Sequence, residues 1–224
     1  LKTLWKNNAL FYAAFVLFVI AGFFTIVFTD KFELHLAINS LVGNSFVNNF
    51  FKYITYLGDG LFLVAIGALL LLYNVRHSLF LLLSYALTGL TTQLLKAYVF
   101  REVDRPFLFY SYYDFKFTLV EGVDMAINRS FPSGHSTSAF CLFFCLSFLS
   151  RKKGLQILFF ALGLITAFSR VYLSQHFFED IYGGAVIGVT LSSLLAWLFY
   201  VSDFGQKTQG LEQPVYKLFR KRNG

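Results

Sequence analysis

Residues 9–29 read ALFYAAFVLFVIAGFFTIVFT, twenty-one positions without one charged side chain. A helix needs about 20 mostly apolar residues to cross a bilayer, so this run reads as a membrane span and lipid becomes the solvent. The composition agrees: of 224 residues 57% are apolar and only 14% charged, against about 25% charge in an ordinary soluble domain. Thirty Phe and a mean hydropathy of +0.61 point the same way. Disordered, collagen-like and small disulfide-scaffold proteins are excluded. The run follows Lys2 and Lys6, exceeds a signal-peptide core and precedes no small-residue cleavage site, so it reads as a retained anchor. Further apolar runs lie near Leu61–Tyr73, Leu79–Lys96, Ser136–Leu149, Leu155–Phe168 and Ile181–Val201. The expectation is an all-α polytopic membrane protein with about six transmembrane helices, forming a single membrane-embedded domain over residues 1–224.

Between the first two runs, Ile38, Leu41, Val42, Phe46, Phe50, Phe51 and Ile54 recur near a 3.6 period, with Asn39, Asn44, Asn48, Asn49 and Lys52 between them. That pattern suits an amphipathic helix in the headgroup region, or one packed on its neighbours. Leu57-Gly58-Asp59-Gly60 reads as a turn into the second span. Cys141 and Cys145, one helical turn apart in an apolar run, read as buried small hydrophobes. In so apolar a chain the net charge of +7 orients the protein in the membrane rather than binding nucleic acid. With the N-terminus inside, the cytoplasmic pieces hold 11 of 19 cations but only Asp203 and Glu212 of 12 acids. The short Arg151–Lys153 loop weighs most, and both termini, including the basic tail of about residues 204–224, are placed in the cytoplasm. The tail reads as a mobile topogenic segment, with a surface resting on anionic lipid as the alternative. The long connection from Tyr98 to His135 then lies outside, dense in aromatics that favour an interface.

Three polar clusters interrupt the apolar chain. Lys96 is followed by Arg101 and Arg105-Pro106; then comes Arg129-Ser130-Phe131-Pro132-Ser133-Gly134-His135-Ser136; last comes Ser169-Arg170 with His176 and Asp180. Helix counting puts all three on one side of the membrane. A charge within a bilayer costs about 2.5–3.5 kcal/mol even on a lenient scale, so these groups should meet at a water-accessible boundary. Lys96, Arg105, Arg170 and two imidazoles repel one another unless an anion joins them, and guanidinium forks suit phosphate. Ser133-Gly134 before a helix start adds free N–H groups and the positive end of a helix dipole. His176 and Asp180, at i and i+4, share a helix face. A carboxylate there fixes the ring tautomer and leaves the other nitrogen as a nucleophile, while His135 can protonate a leaving oxygen. Each piece also has a plain structural reading: a snorkelling arginine, a structural His–Asp pair, a Pro-Ser-Gly turn.

Pro132-Ser133-Gly134-His135 and Ser169-Arg170-x5-His176-x3-Asp180 resemble two signatures of the type-2 phosphatidic acid phosphatase family, and the six-span plan resembles its integral-membrane members. The likeness covers the catalytic core of about residues 96–180. The remaining signature differs: the family has Lys, six residues and Arg-Pro, whereas eight residues separate Lys96 from Arg105. Either the loop carries a two-residue insertion or Arg101 takes the place of Lys96. The resemblance implies that His176 is a nucleophile forming a phosphohistidine, oriented by Asp180, with His135 as general acid. Lys96, Arg105, Arg170, Ser133 and Gly134 would hold the phosphoryl oxygens, with no metal and no other cofactor. Arg129 reads as a loop cation, with an outer phosphate contact as the alternative, and His35 and His77 as interfacial bystanders.

The leading expectation is a lipid phosphate or pyrophosphate phosphohydrolase at the outer face of a bacterial inner membrane. Undecaprenyl pyrophosphate, phosphatidylglycerol phosphate, phosphatidic acid and lipid A are candidate substrates. A lipid-to-lipid phosphotransferase would use the same site. A transporter for phosphate-like anions would explain cations and spans, but not a nucleophile–orienter pair beside a separate acid.

Overall fold

A computed structural model describes residues 2–113, 115 and 117–220, and every regular element among them is helical. The opening run lies in α1 (Lys2–Phe28), which is broken at Asn8. Asn8 accepts the Ser147 hydroxyl at 2.5 Å, and Gln156 donates to the Asn7 carbonyl and accepts from the Leu10 N–H, each at 3.0 Å. A break in lipid needs such partners, since no water can satisfy the freed groups. The outward face of α1 leaves Leu17, Phe23, Phe24 and Phe28 exposed, as a lipid-facing helix does.

The amphipathic stretch is divided. Helix α2 (Lys31–Asn39) starts on the Asp30 carboxylate, and α3 (Ser45–Ile54) starts afresh on Asn44, whose side chain accepts from the Phe46 and Val47 N–H groups. The interfacial helix is therefore α3 alone. It sets Phe51 against Phe168 and Tyr172 and leaves Phe46 and Tyr53 exposed. A 3-10 turn (Thr55–Gly58) and the Asp59 cap bend the chain by 54° into α4 (Gly60–Tyr73). Helix α5 (Val75–Leu94) ends in a π turn (Leu95–Val99), α6 (Pro106–Ser111) lies in the long connection, and α7 (Gly134–Ser150), α8 (Lys153–Tyr172) and α9 (Phe178–Tyr200) follow.

Among the described residues, four helices are long and apolar enough to cross a membrane alone: α1, α5 with its π turn, α8 and α9. The bent α3–α4 pair raises the number to five, against the six expected. Helix α7 has 17 residues, about 25 Å at 1.5 Å per residue. It is the central helix, packed on α1, α4, α5, α8 and α9, with Phe140, Phe144, Phe148 and the free thiols of Cys141 and Cys145 all buried. A helix enclosed by protein need not match the bilayer thickness. Gly184 and Gly188 bring α9 hard against it: a Cβ at Gly184 would stand 2.5 Å from the Ser133 carbonyl, and one at Gly188 2.7 Å from that of Thr137.

The C-terminal segment, α10 (Asp203–Lys207) and α11 (Val215–Arg220), packs against the bundle. The buried Arg76 guanidinium binds Glu212 and the carbonyls of Phe199 and Gly205 and lies over the Tyr200 ring, while the Val75 N–H donates to the Gln213 carbonyl. The terminal cations Lys221 and Arg222 lie outside the described residues.

Candidate active site

The turn between α8 and α9 is built on one acceptor. The Arg170 carbonyl accepts the N–H groups of both Gln175 (2.8 Å) and His176 (3.1 Å), which fixes the nucleophile candidate relative to the end of α8. One turn into α9, Asp180 reaches back. Its Oδ2 accepts the Phe177 N–H at 2.9 Å, lies 3.2 Å from His176 Nδ1 and accepts the Ser130 hydroxyl at 2.5 Å. One carboxylate oxygen thus caps a helix and orients a ring. The hydrogen bond assigns the proton to Nδ1, so Nε2 carries the free lone pair. Ser130 Oγ also stands 3.3 Å from His176 Nδ1.

The second cluster is joined to the third through main chain: the Ser133 N–H donates to the Asp180 carbonyl at 2.9 Å. Ser133 caps α7, its Oγ accepting from the Ser136 hydroxyl at 3.0 Å and, more weakly, from the Ser136 N–H at 3.4 Å. This leaves the first N–H groups of the helix, on Gly134 and His135, without intrahelical partners. A Cβ on Gly134 would meet nothing within 4 Å, so that end of the helix opens into space. The space is a cavity of about 410 Å³, lined by Gly58, Tyr85, Leu90, Gln93, Gly134 and His135 among others. Gly58 is needed there, because a Cβ would stand 2.7 Å from the His135 carbonyl.

The cations lie around His176 and not in the lining of that cavity, which reaches the site at His135. Lys96 is buried and donates to the Arg129 carbonyl at 2.7 Å. Arg105 donates from Nε to the Asn128 carbonyl (3.1 Å) and from Nη1 to the Gln175 carbonyl (3.2 Å). Arg170 donates to Thr55 Oγ1 (2.9 Å) and Gln175 Oε1 (3.3 Å), and its Nε is buried without a partner. Burial first, then the charges of Arg105, Arg170, Lys96 and His135, hold His176 well below the usual imidazole range. Burial, with Arg170 beside it, pushes His135 down to about 4. Both rings are neutral at pH 7 while the pocket holds no anion.

Of Lys96 and Arg101, the two candidates in the first cluster, it is Lys96 that lies buried beside the site. Arg101 is exposed and pairs loosely with Glu102 at 3.5 Å, so it does not take the place of Lys96. A π turn takes up one residue more than an α turn, and the Phe100 N–H reaches the Leu95 carbonyl at 2.8 Å in that manner. A further turn follows at Arg101-Glu102. Arg129 serves through its carbonyl, with backbone φ of +55° and an exposed side chain. His35 is buried and not at an interface: it lies among Tyr110, Phe117 and Phe177, beneath the aromatic connection. Sequence reasoning missed Ser130, Gln175 and Thr55. The first two lie inside the quoted motifs, whereas Thr55 meets Arg170 from a distant segment that carried no signal. Among the described residues, no group of three or more His, Cys, Asp or Glu side chains is placed to hold a metal ion.

The model of the PAP2 superfamily matches residues 77–203, which takes in all three polar clusters and more than half of the chain. The chain belongs to the PAP2 superfamily. Among its relatives, phosphatidylglycerophosphatase B of Bacillus subtilis is 30% identical over 77% of this chain and 82% of its own length. Undecaprenyl-diphosphatase BcrC of the same organism is 32% identical over 41% of this chain and 45% of its own. The crystal structure of a transmembrane PAP2-type phosphatidylglycerolphosphate phosphatase from Bacillus subtilis superposes with a TM-score of 0.59 at 25% identity, covering 89% of this chain and 99% of that one. This PAP2 protein is a multi-pass membrane phosphohydrolase.

Proposed function

We propose that this phosphohydrolase cleaves a lipid phosphate or pyrophosphate without a metal, through a phosphohistidine on His176, at the outer face of a bacterial inner membrane. The observation that carries the reading is the His176–Asp180 pair, with its free Nε2 in a buried pocket that also holds Lys96, Arg105 and Arg170. In the first step Nε2 attacks phosphorus, the bond to the leaving oxygen breaks, and His135 gives that oxygen a proton. The three cations and the N–H groups of Gly134 and His135 take up the phosphoryl charge. In the second step His135 takes a proton from water, whose oxygen attacks the phosphohistidine and returns His176 with free phosphate. The apolar wall of the cavity, with Tyr85 and Leu90, favours a substrate that arrives from lipid. The outer-face reading rests on the cations gathered at the other end of the bundle, at Arg76 and Arg151–Lys153. The whole chain works as one domain.

Purified protein in detergent is tested on undecaprenyl pyrophosphate, phosphatidylglycerol phosphate, phosphatidic acid and lipid A. Free phosphate should appear from at least one of them, and adding a lipid acceptor should not divert it. A chelator should leave the rate unchanged. Silence on every substrate, or loss to chelator with recovery on a divalent ion, overturns the reading.

The pH dependence follows from the two rings. His176 protonates only well below pH 6.5, so the acid limb of kcat/KM should lie below that value. His135 begins neutral and holds a proton only after the phosphate charge arrives; a monoester with a second pKa of about 6 can bring that proton in. The profile on a lipid substrate should therefore be bell-shaped. With p-nitrophenyl phosphate, whose leaving group needs no proton, the alkaline limb should flatten. An acid limb at or above pH 6.5 contradicts the buried, cation-flanked nucleophile.

Ser130 gives a smaller effect. Its hydroxyl holds the Asp180 oxygen that also faces the ring, and a hydrogen bond to a charged group contributes about 1.5–3 kcal/mol. Ser130→Ala should lower kcat about tenfold or more with KM little changed, as read by phosphate release.

A further inference from the structure

Gln175, directly before His176, is 3% exposed and has every side-chain hydrogen-bonding group engaged. Its Oε1 accepts from Arg170 Nη2 at 3.3 Å and from Arg105 Nη1 at 3.5 Å, while its main-chain carbonyl accepts from the same Arg105 nitrogen at 3.2 Å. Its Nε2 donates to the Asp124 carbonyl at 2.9 Å and lies 3.2 Å from Met125 Sδ. These partners fix the amide orientation, with the oxygen towards the cations and the NH₂ towards the outer connection.

We propose that Gln175 is a positioning residue for the phosphate pocket: its amide oxygen turns the Arg105 and Arg170 guanidinium groups towards one point. Two cations side by side, Arg170 buried and Arg105 partly so, repel, and something must hold them before substrate arrives. A carboxylate would hold them more firmly but would cancel the charge the phosphate has to meet. An amide oxygen is neutral. It satisfies one donor from each fork and leaves both charges for the incoming anion. Through Asp124 and Met125 it also ties the pocket to the outer connection, so the forks stay aimed when the pocket is empty. This inference rests on the phosphatase reading of the same site.

Gln175→Met and Gln175→Glu separate positioning from plain packing. Methionine keeps the length and loses the acceptor; glutamate keeps the acceptor and adds a charge. The readouts are inhibition by vanadate, which resembles the five-coordinate phosphoryl group, and KM and kcat on a lipid phosphate. Vanadate inhibition should weaken about three- to tenfold in Gln175→Met and about 100-fold in Gln175→Glu, with KM rising in the same order. A residue that only supports the fold predicts similar, modest losses in both variants: methionine leaves Arg170 Nη2 unpaired while Arg105 Nη1 keeps the main-chain carbonyl, and glutamate keeps the acceptor but loses the donor to the Asp124 carbonyl. Glutamate inhibited as well as or better than methionine overturns the inference. If glutamate does not elute as a folded protein, Gln175→Asp takes its place, with its shorter side chain clear of the Asp124 carbonyl. A wild-type protein that hydrolyses lipid phosphate and binds vanadate, with variants in the wrong order, overturns this inference alone. A wild type that does neither overturns the phosphatase reading as well.

Discussion

His176→Ala is expected to lower the rate of lipid phosphate hydrolysis by a factor on the order of 10⁴ or more, to the background of detergent micelles without enzyme. No second nucleophile is available to replace it. Ser130 Oγ lies beside Nδ1, on the Asp180 side of the ring, and its hydrogen is committed to the carboxylate. His135 stands on a different element, at the start of α7. The fold should survive the substitution, because Asp180 keeps the Ser130 hydroxyl and the Phe177 N–H, and the turn is held by the Arg170 carbonyl rather than by the ring. His176→Asn is the sharper variant. Its amide can still donate to Asp180 from near the Nδ1 position, yet it has nothing at Nε2, so the local packing stays and the chemistry goes. Rapid acid-free quenching of the wild type with a phosphorus-labelled substrate should trap a phosphoprotein that is stable in alkali and lost in acid. Neither variant should be labelled. A variant that retains more than about 1% of the rate, or carries the label, removes His176 from the nucleophile role.

What was legible in the sequence was what depends on local spacing. The uninterrupted apolar runs of α1 and α9 announced their helices, and His176-x3-Asp180 announced a shared helix face because one turn of α9 brings i and i+4 together. Tertiary facts were less legible. Helix α7 reads as apolar on all sides, which fits a lipid-embedded helix or one wrapped in protein equally well; only its neighbours decide. The division of the amphipathic stretch at Asn44 was visible as a possible cap, but the apolar period runs through it. Lys96 and Arg101 could not be separated by counting, since the outcome turned on a π turn that buries one and a loop that exposes the other. The docked C-terminal segment hinges on Arg76 meeting Glu212, two residues that no local pattern connects. Thr55 reached the site in the same silent way, through the 3-10 turn that bends α3 into α4.

Asp180→Asn should cost nearly as much as loss of the nucleophile, on the order of 10³–10⁴ in kcat, although it changes one atom. Of the three groups that donate to Oδ2, the Phe177 N–H at 2.9 Å can do nothing but donate, and the Ser130 hydroxyl and the His176 Nδ1–H share the same oxygen. An asparagine therefore keeps its oxygen at that position to retain the helix cap. Its NH₂ then occupies the place of Oδ1, which is buried without a partner. The geometry survives, but the charge is gone. A neutral oxygen stabilises the Nδ1–H tautomer far less, and it gives no support to the positive charge that His176 acquires once phosphorus is bound to Nε2. Lys96, Arg105 and Arg170 all act against that charge, and the carboxylate beside the ring opposes them. Its loss should slow formation of the phosphohistidine more than binding, leaving KM and vanadate inhibition within a few-fold of wild type. That pattern is opposite to the one expected at Gln175, where anion affinity moves first. If Asp180→Asn instead raised KM with kcat intact, the carboxylate would belong to substrate binding, and the ring would have to be oriented by Ser130 alone.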